Sequence, residues 1–245
     1  MSRKQLVIFV LAPIGIMVAY ALSRWLLPVD SQAILSDENG IVELATAVGF
    51  AAAGCVAFGL WRRTRGRAPG PCRAFYLLCA LVGALIACEE LSWGQHLFNW
   101  STPELFATND HGETNLHNMF GNRPSHWLKD AGNVGSVLAF VIVPAIAMLR
   151  RGQYPAGHWT HYLLPRWELM TMVALAQLSQ AIWDIPKPII GEFWHEGWNE
   201  LREFYWGLSF AAYAAVLRHR LDAAEESRLG SSHDASYSHI ERRAA

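Results

Sequence analysis

The sequence predicts an all-α integral membrane protein, a bundle of six transmembrane helices with both termini cytoplasmic. Three observations predict it. Of the 245 residues, 52% are hydrophobic and only 17% charged, against roughly 25% charged in soluble domains. The apolar residues gather in runs of about 16–22, long enough to cross a hydrocarbon core of about 30 Å. The basic residues and tryptophans are sorted around those runs as a bilayer sorts them. The low charge argues against disorder, and the net charge of -1 against nucleic-acid binding. Cys55, Cys72, Cys79 and Cys88 form no C-x-x-C pair. Three of them lie inside apolar runs, which disfavours a disulfide framework or a thiolate zinc site.

The spans are 6–27, 41–61, 74–98, 130–149, 167–185 and 198–217, and residues 1–220 make one transmembrane domain. The first follows Arg3 and Lys4, and Ala19-Tyr20-Ala21 mimics a cleavage box, so a signal peptide is the alternative reading. The length of the run and the interface pair Arg24-Trp25 favour an uncleaved helix. The second span ends at Trp61, before an arginine-rich loop at 62–73. The third is apolar to Leu91 and continues as a polar stretch to Phe98. The fourth has a short apolar part with Pro144 inside it, which a membrane helix tolerates. The fifth and sixth carry Gln177 and Glu203 well within their apolar runs. From residue 221 onward the chain is rich in Ala, Ser, Glu and Arg without apolar periodicity, and reads as a mobile cytoplasmic tail.

Orientation follows from the basic residues. All but five of the 20 Lys and Arg residues fall on one side, and the five are Arg24, Arg123, Lys129, Lys187 and Arg202. The richer side is cytoplasmic, which places the chain in a bacterial inner membrane. Trp25, Trp61, Trp93, Trp100, Trp127, Trp167, Trp183 and Trp198 mark span ends as an aromatic belt does. The arginine loop could touch anionic headgroups, although a topology signal already accounts for it. No internal repeat of the inverted-transporter kind is visible.

The acids run the opposite way. Most of the 21 map outside or to outer span ends, and the basic-residue rule does not explain that. Several lie within helices: Glu89 about 22 Å of rise from the start of its span, and Glu203 at a similar depth. Such groups normally face the bundle interior or a watery cavity. Helical spacing aligns Gln177, Gln180 and Asp184 on one face, and Glu196, Glu200 and Glu203 on another. Asp130, Asn133 and Ser136, then Glu43 and Thr46, then Glu89, Ser92 and His96 make three further stripes. Turned toward one another, these stripes form an outward-facing acidic cavity. The loop at 99–129 is long enough to suggest a working part, and its Trp, Phe and Leu suit it to fold over the bundle mouth.

The run Glu89-Glu90-Leu91-Ser92-Trp93-Gly94-Gln95, then Thr102-Pro103-Glu104, then Gly112-Glu113-Thr114-Asn115-Leu116-His117-Asn118 resembles a group of uncharacterised bacterial multi-pass membrane proteins. The match covers residues 89–118, and it implies a site rather than a reaction. A second likeness is to the CREST membrane hydrolases, which include alkaline ceramidases and hold zinc through Ser-x-x-x-His, an Asp and a later His-x-x-x-His. Ser92 and His96 fit the first element. No His-x-x-x-His follows; His158 and His161 are wrongly spaced and cytoplasmic, and six spans stand where that family has seven.

Candidate chemistry starts at Glu89 and Glu90, which point about 100° apart, so that one can face the cavity as metal ligand or general base. The plainer reading is a structural hydrogen-bond network. His117 with Glu113 offers nitrogen and oxygen ligands suited to zinc, manganese or iron, or is an ordinary loop histidine. His195-Glu196 begins like a zincin helix, but Asn199 replaces the second histidine; His195 and Glu200 could still ligate. His96 and His111 read as surface polar residues. Ser92 has no Gly-x-Ser-x-Gly context. The expected catalytic groups are Glu89, Glu90, Asp184 and Glu203. The expected substrate contacts are Ser92, Gln95, Asn115, Asn118 and Gln180. Glu89, His117, His195 and Glu200 are the expected ligands of a divalent metal. The leading expectation is a metal-dependent hydrolase or transferase acting on a lipid or amphiphile. An assembly role and a cation- or proton-coupled transporter are the alternatives.

Overall fold

A computed structural model describes residues 2–28, 31, 34–35, 40–107, 109, 112–116, 124–149, 160–165, 167–191 and 197–244. Among these the chain is all-helical, with no strand. Helix α1 is Arg3–Leu26, α2 is Ile41–Arg63 and α3 is Gly70–Glu90; these three are long and apolar enough to cross a membrane. A 3-10 turn (Ser92–Gly94) leads into the short α4, Gln95–Phe98. Helix α5 covers 124–149, α6 is Thr160–Leu163, α7 is Met170–Trp183, α8 is Lys187–Ile190 and α9 is Trp198–Ala244.

The other three expected spans fall on α5, α7 and α9, which are shorter in their apolar part or more polar. The polar groups that make them interesting also lower their hydropathy. The third span departs from expectation. It was expected to run helical to residue 98, but α3 ends at Glu90 and the backbone turns left-handed before α4 begins. The stripe Glu89, Ser92, His96 is therefore not one helix face. Residues 221–244 of the expected tail are helical and continue α9. Arg63 pairs with Asp222 at 2.6 Å and with Glu225 at 2.7 Å, and Arg67 also reaches Glu225.

Two prolines shape their helices in the same way. A proline has no N–H to give the carbonyl four residues earlier. Pro13 deprives Phe9, and Pro144 deprives Phe140; each of those residues sits inside a π-helical turn, Val7–Leu11 and Leu138–Ile142 respectively. A widened turn absorbs the missing bond without breaking the helix.

Helix α2 is central, packed between α3 and α9. Small residues permit the close approach. Gly54 of α2 meets Gly83 of α3, and Gly49 of α2 meets Gly207 of α9; a Cβ on Gly83 would lie 2.8 Å from the Phe50 carbonyl oxygen. Such backbone proximity gives membrane helices the van der Waals contact that drives their association. Leu60, Tyr76, Leu169, Tyr213 and Leu217 pack at one end of the bundle. Met17, Tyr20, Met172, Ala176, Trp198, Leu201 and Tyr205 pack α1, α7 and α9 together. The outer faces of α1 to α3 remain apolar and exposed, for example at Ile8, Val18, Leu44, Leu78 and Leu81, as a lipid-facing surface requires.

The connection before α7 is clamped by three side chains. The Tyr76 hydroxyl donates to the Tyr162 carbonyl at 2.8 Å, the Tyr213 hydroxyl to the Leu163 carbonyl, and Arg220 to the Leu164 carbonyl. These are carbonyls at a helix end, which have no intrahelical donor. Tyr213→Phe is expected to lower stability by about 1 kcal/mol, read as an earlier thermal unfolding midpoint in detergent. A midpoint unchanged in both Tyr213→Phe and Tyr76→Phe would show the clamp to be dispensable.

Candidate functional site at the end of α3

The site begins where α3 stops. Ser92, Trp93 and Gly94 take φ of 45°, 56° and 87°. Left-handed backbone costs a non-glycine residue on the order of 1–3 kcal/mol, so the surroundings must hold Ser92 and Trp93 there. They do. The Trp93 indole N–H donates to Glu89 Oε1 at 2.6 Å. Gly94 carries no Cβ where one would meet the Phe98 ring at 3.1 Å. Asn99, at φ 53°, ends α4 and turns the chain back. Phe98 and Trp100 then stack, their ring centroids 5.7 Å apart.

Gln95 ties the returning loop to this turn. Its amide N–H groups donate to Thr102 Oγ1 (3.1 Å) and to the Gly112 carbonyl (3.2 Å), and its oxygen accepts from the Thr114 N–H at 2.6 Å. Glu89 Oε2 accepts from the Leu116 N–H at 2.7 Å. The core of the knot is Asn115, 1% exposed. Its amide donates to Glu113 Oε2 at 2.6 Å and to Ser92 Oγ at 3.3 Å. Its two oxygens, backbone and side-chain, accept from the Asn109 amide. Glu89, Ser92, Gln95, Asn109, Glu113, Thr114 and Asn115 are all buried, as groups this well bonded can be.

One side chain of the knot looks outward. His96 Nε2 lies 3.0 Å from Glu113 Oε1; the imidazole is 41% exposed and the carboxylate 4%. An ionised carboxylate can only accept, so this contact assigns the imidazole's proton to Nε2. Neutral His96 therefore keeps its lone pair on Nδ1. A buried carboxylate that fixes the tautomer of an accessible imidazole is the arrangement that prepares a general base or a metal ligand.

A second network joins α5, α7 and α9. Gln177 donates to Asn133 Oδ1 (3.2 Å), Asn133 to Gln180 Oε1 (3.4 Å), and Gln180 to Asp184 Oδ1 (2.6 Å). Arg202, only 3% exposed, donates to Gln180, to Asn199 and, at 2.9 Å, to Glu203. Its guanidinium also lies over the Trp206 ring, 4.9 Å from the centroid. The α5, α7 and α9 stripes thus meet through Asn133, Gln177, Gln180 and Glu203, with an arginine at the centre, while Asp130 is exposed and Glu196 lies outside the described residues. That arginine, and the buried Arg24 beside Tyr20, were expected as outer basic residues.

No protein-family model, curated protein or solved structure matches the chain. The geometry alone sorts the candidates. Glu89, Ser92, Gln95 and Asn115 belong to the first network, and Glu90 sits half-buried beside Glu89. Gln180, Asp184, Glu200 and Glu203 belong to the second. Asn118, His117 and His195 lie outside the described residues. Among the described residues no three His, Cys, Asp or Glu side chains converge as a metal-ligand set, and each Glu89 oxygen accepts an N–H. The His96–Glu113 pair is not legible in the sequence, because the two residues stand 17 positions apart; the polar run Gly112-Glu113-Thr114-Asn115 is the available signal.

Proposed function

We propose that this is a six-span bacterial inner-membrane enzyme, both termini cytoplasmic, whose outer site acts on the polar part of a lipid or amphiphile. The observation that carries the reading is the His96–Glu113 pair, a buried carboxylate orienting an exposed imidazole. His96 Nδ1 takes a proton from water or a substrate hydroxyl, and Glu113 stabilises the imidazolium that forms. The Asn115 amide keeps Glu113 in place, and the left-handed turn at Ser92 and Trp93 sets the distance between α3 and the loop. Leu97 and Phe98, next to the histidine in sequence, are 74% and 73% exposed, and Trp93, Trp100 and Leu105 on the same segment are exposed as well. A group of that kind suits the headgroup boundary of a bilayer, where an amphiphile presents its polar end.

The test is lipid turnover. The full chain is reconstituted in vesicles of bacterial polar lipid, and lipid species are followed by mass spectrometry. Wild type should convert one species with time, and His96→Ala should slow that conversion about 10²-fold or more. Unaltered lipids with folded wild type would refute the enzyme and favour an assembly role. The fully bonded Glu89 carboxylate supports that second reading, since a rigid knot also serves to present a surface. Metal content of wild type, His96→Ala and His117→Ala tests for a zinc, manganese or iron cofactor in the same preparations.

A further inference from the structure

At the opposite end of α2 from this site, a groove opens between α2 and α9. Cys55, Val56, Gly59, Leu60, Arg63 and Arg218 line a groove of about 290 Å³. Cys55 and Gly59 lie on its apolar wall, and nothing stands within 4 Å of where a Gly59 Cβ would be. From Cys55 to Arg63 the wall rises about 12 Å along the helix, and it is continuous with the exposed apolar face of α2. The arginines stand at its end. Arg218 is 62% exposed and 4.0 Å from Asp222. Arg63 is held by Asp222 and Glu225, themselves substantially exposed.

We propose that this groove binds an anionic phospholipid, whose phosphate competes with Asp222 and Glu225 for Arg63 and Arg218. The proposal rests on these helices spanning a membrane, not on the enzyme reading. A site for one lipid needs an apolar wall for an acyl chain and a cation where the chain meets the headgroup, and the groove has both. Arginine suits the task because its planar fork takes two phosphate oxygens at once. The competing pairs are exposed and screened, so they are weak enough to exchange. Arg62, Arg65 and Arg67 are exposed nearby and raise the local anion concentration. Occupancy would release Asp222 and Glu225 from the end of α2 and leave Glu225 on Arg67.

The experiment measures phosphatidylglycerol and phosphatidylcholine binding to the full chain in detergent by native mass spectrometry, with helicity and elution volume as folding controls. Wild type should prefer phosphatidylglycerol. Arg63→Gln with Arg218→Gln should erase the preference, at about fivefold per arginine. Asp222→Asn with Glu225→Gln should move it the other way, toward tighter binding, because the competitor is gone. Gly59→Leu should weaken binding by filling the wall. Equal binding of the two lipids by wild type, acid variants that bind no tighter, or displacement by inorganic phosphate alone would each overturn the proposal.

Discussion

Gly83→Ala will destabilise the bundle, while Gly59→Ala, on the neighbouring helix, will not. Both are glycines inside helices long and apolar enough to cross a membrane, and helix propensity alone favours alanine at each by up to about 1 kcal/mol. Their surroundings differ. A Cβ on Gly83 meets the Phe50 oxygen at 2.8 Å and the Gly54 backbone at 3.0 Å, whereas one on Gly59 meets nothing within 4 Å. The atoms in the way at Gly83 are backbone, so no rotamer change relieves them. α2 and α3 must separate, and the contacts around Gly54, Ala80 and Phe50 loosen together. The expected loss is about 1–3 kcal/mol, and larger for Gly83→Leu. The mole fraction of SDS that unfolds the protein in mild detergent reads it: Gly83→Ala falls, Gly59→Ala holds or rises. Equal shifts would mean that the α2–α3 crossing is looser than these distances.

The two glycines also mark how far a sequence can be read. Apolar run length was enough to place α1, α2 and α3, because a membrane span is a local property of composition. It was not enough to say that Gly83 rather than Gly59 sits at a crossing, since that depends on which face meets a neighbour. Polar stripes on α5, α7 and α9 were legible from helical spacing, and Asn133, Gln177 and Gln180 do meet. Arg202 was not legible as a buried group. Its charge counted toward topology, and only its position one turn into α9, under Trp206, shows that it joins the polar face. The break at Ser92–Gly94 was concealed for a related reason. Gly94 is a visible stop signal, but left-handed Ser92 is bonded by Asn115, 23 residues later, and the Glu89 that holds Trp93 by Leu116, 27 residues later. Glu113 and His96 needed that same loop to meet.

The loop's dependence on one amide gives the other large effect. Asn115→Asp keeps the shape of the side chain and replaces its N–H donor with an oxygen. That oxygen would face Glu113 Oε2 across the present 2.6 Å contact, inside a knot where Asn115 is almost wholly buried. Two like charges 4 Å apart repel by roughly 4 kcal/mol at an effective dielectric of 20, and these would be closer. At neutral pH the variant's loop should leave α3, and His96 should lose its orienting carboxylate. The sign with pH follows from proton sharing. In the docked state the introduced carboxylate holds a proton more tightly than in the undocked state. Docking is therefore favoured at low pH and lost as pH rises through the docked-state value. Chymotrypsin cleavage at Phe98 and Trp100, with pH-matched wild-type controls, should be fast at about pH 8 and suppressed near pH 5. Asn115→Ala should be cleaved at a rate without that reversal, because it removes the donor and adds no charge. If turnover in Asn115→Asp recovers at low pH only as far as the loop redocks, the loop is part of the site. If it recovers with the loop still cleavable, His96 works without Glu113 and the dyad is structural.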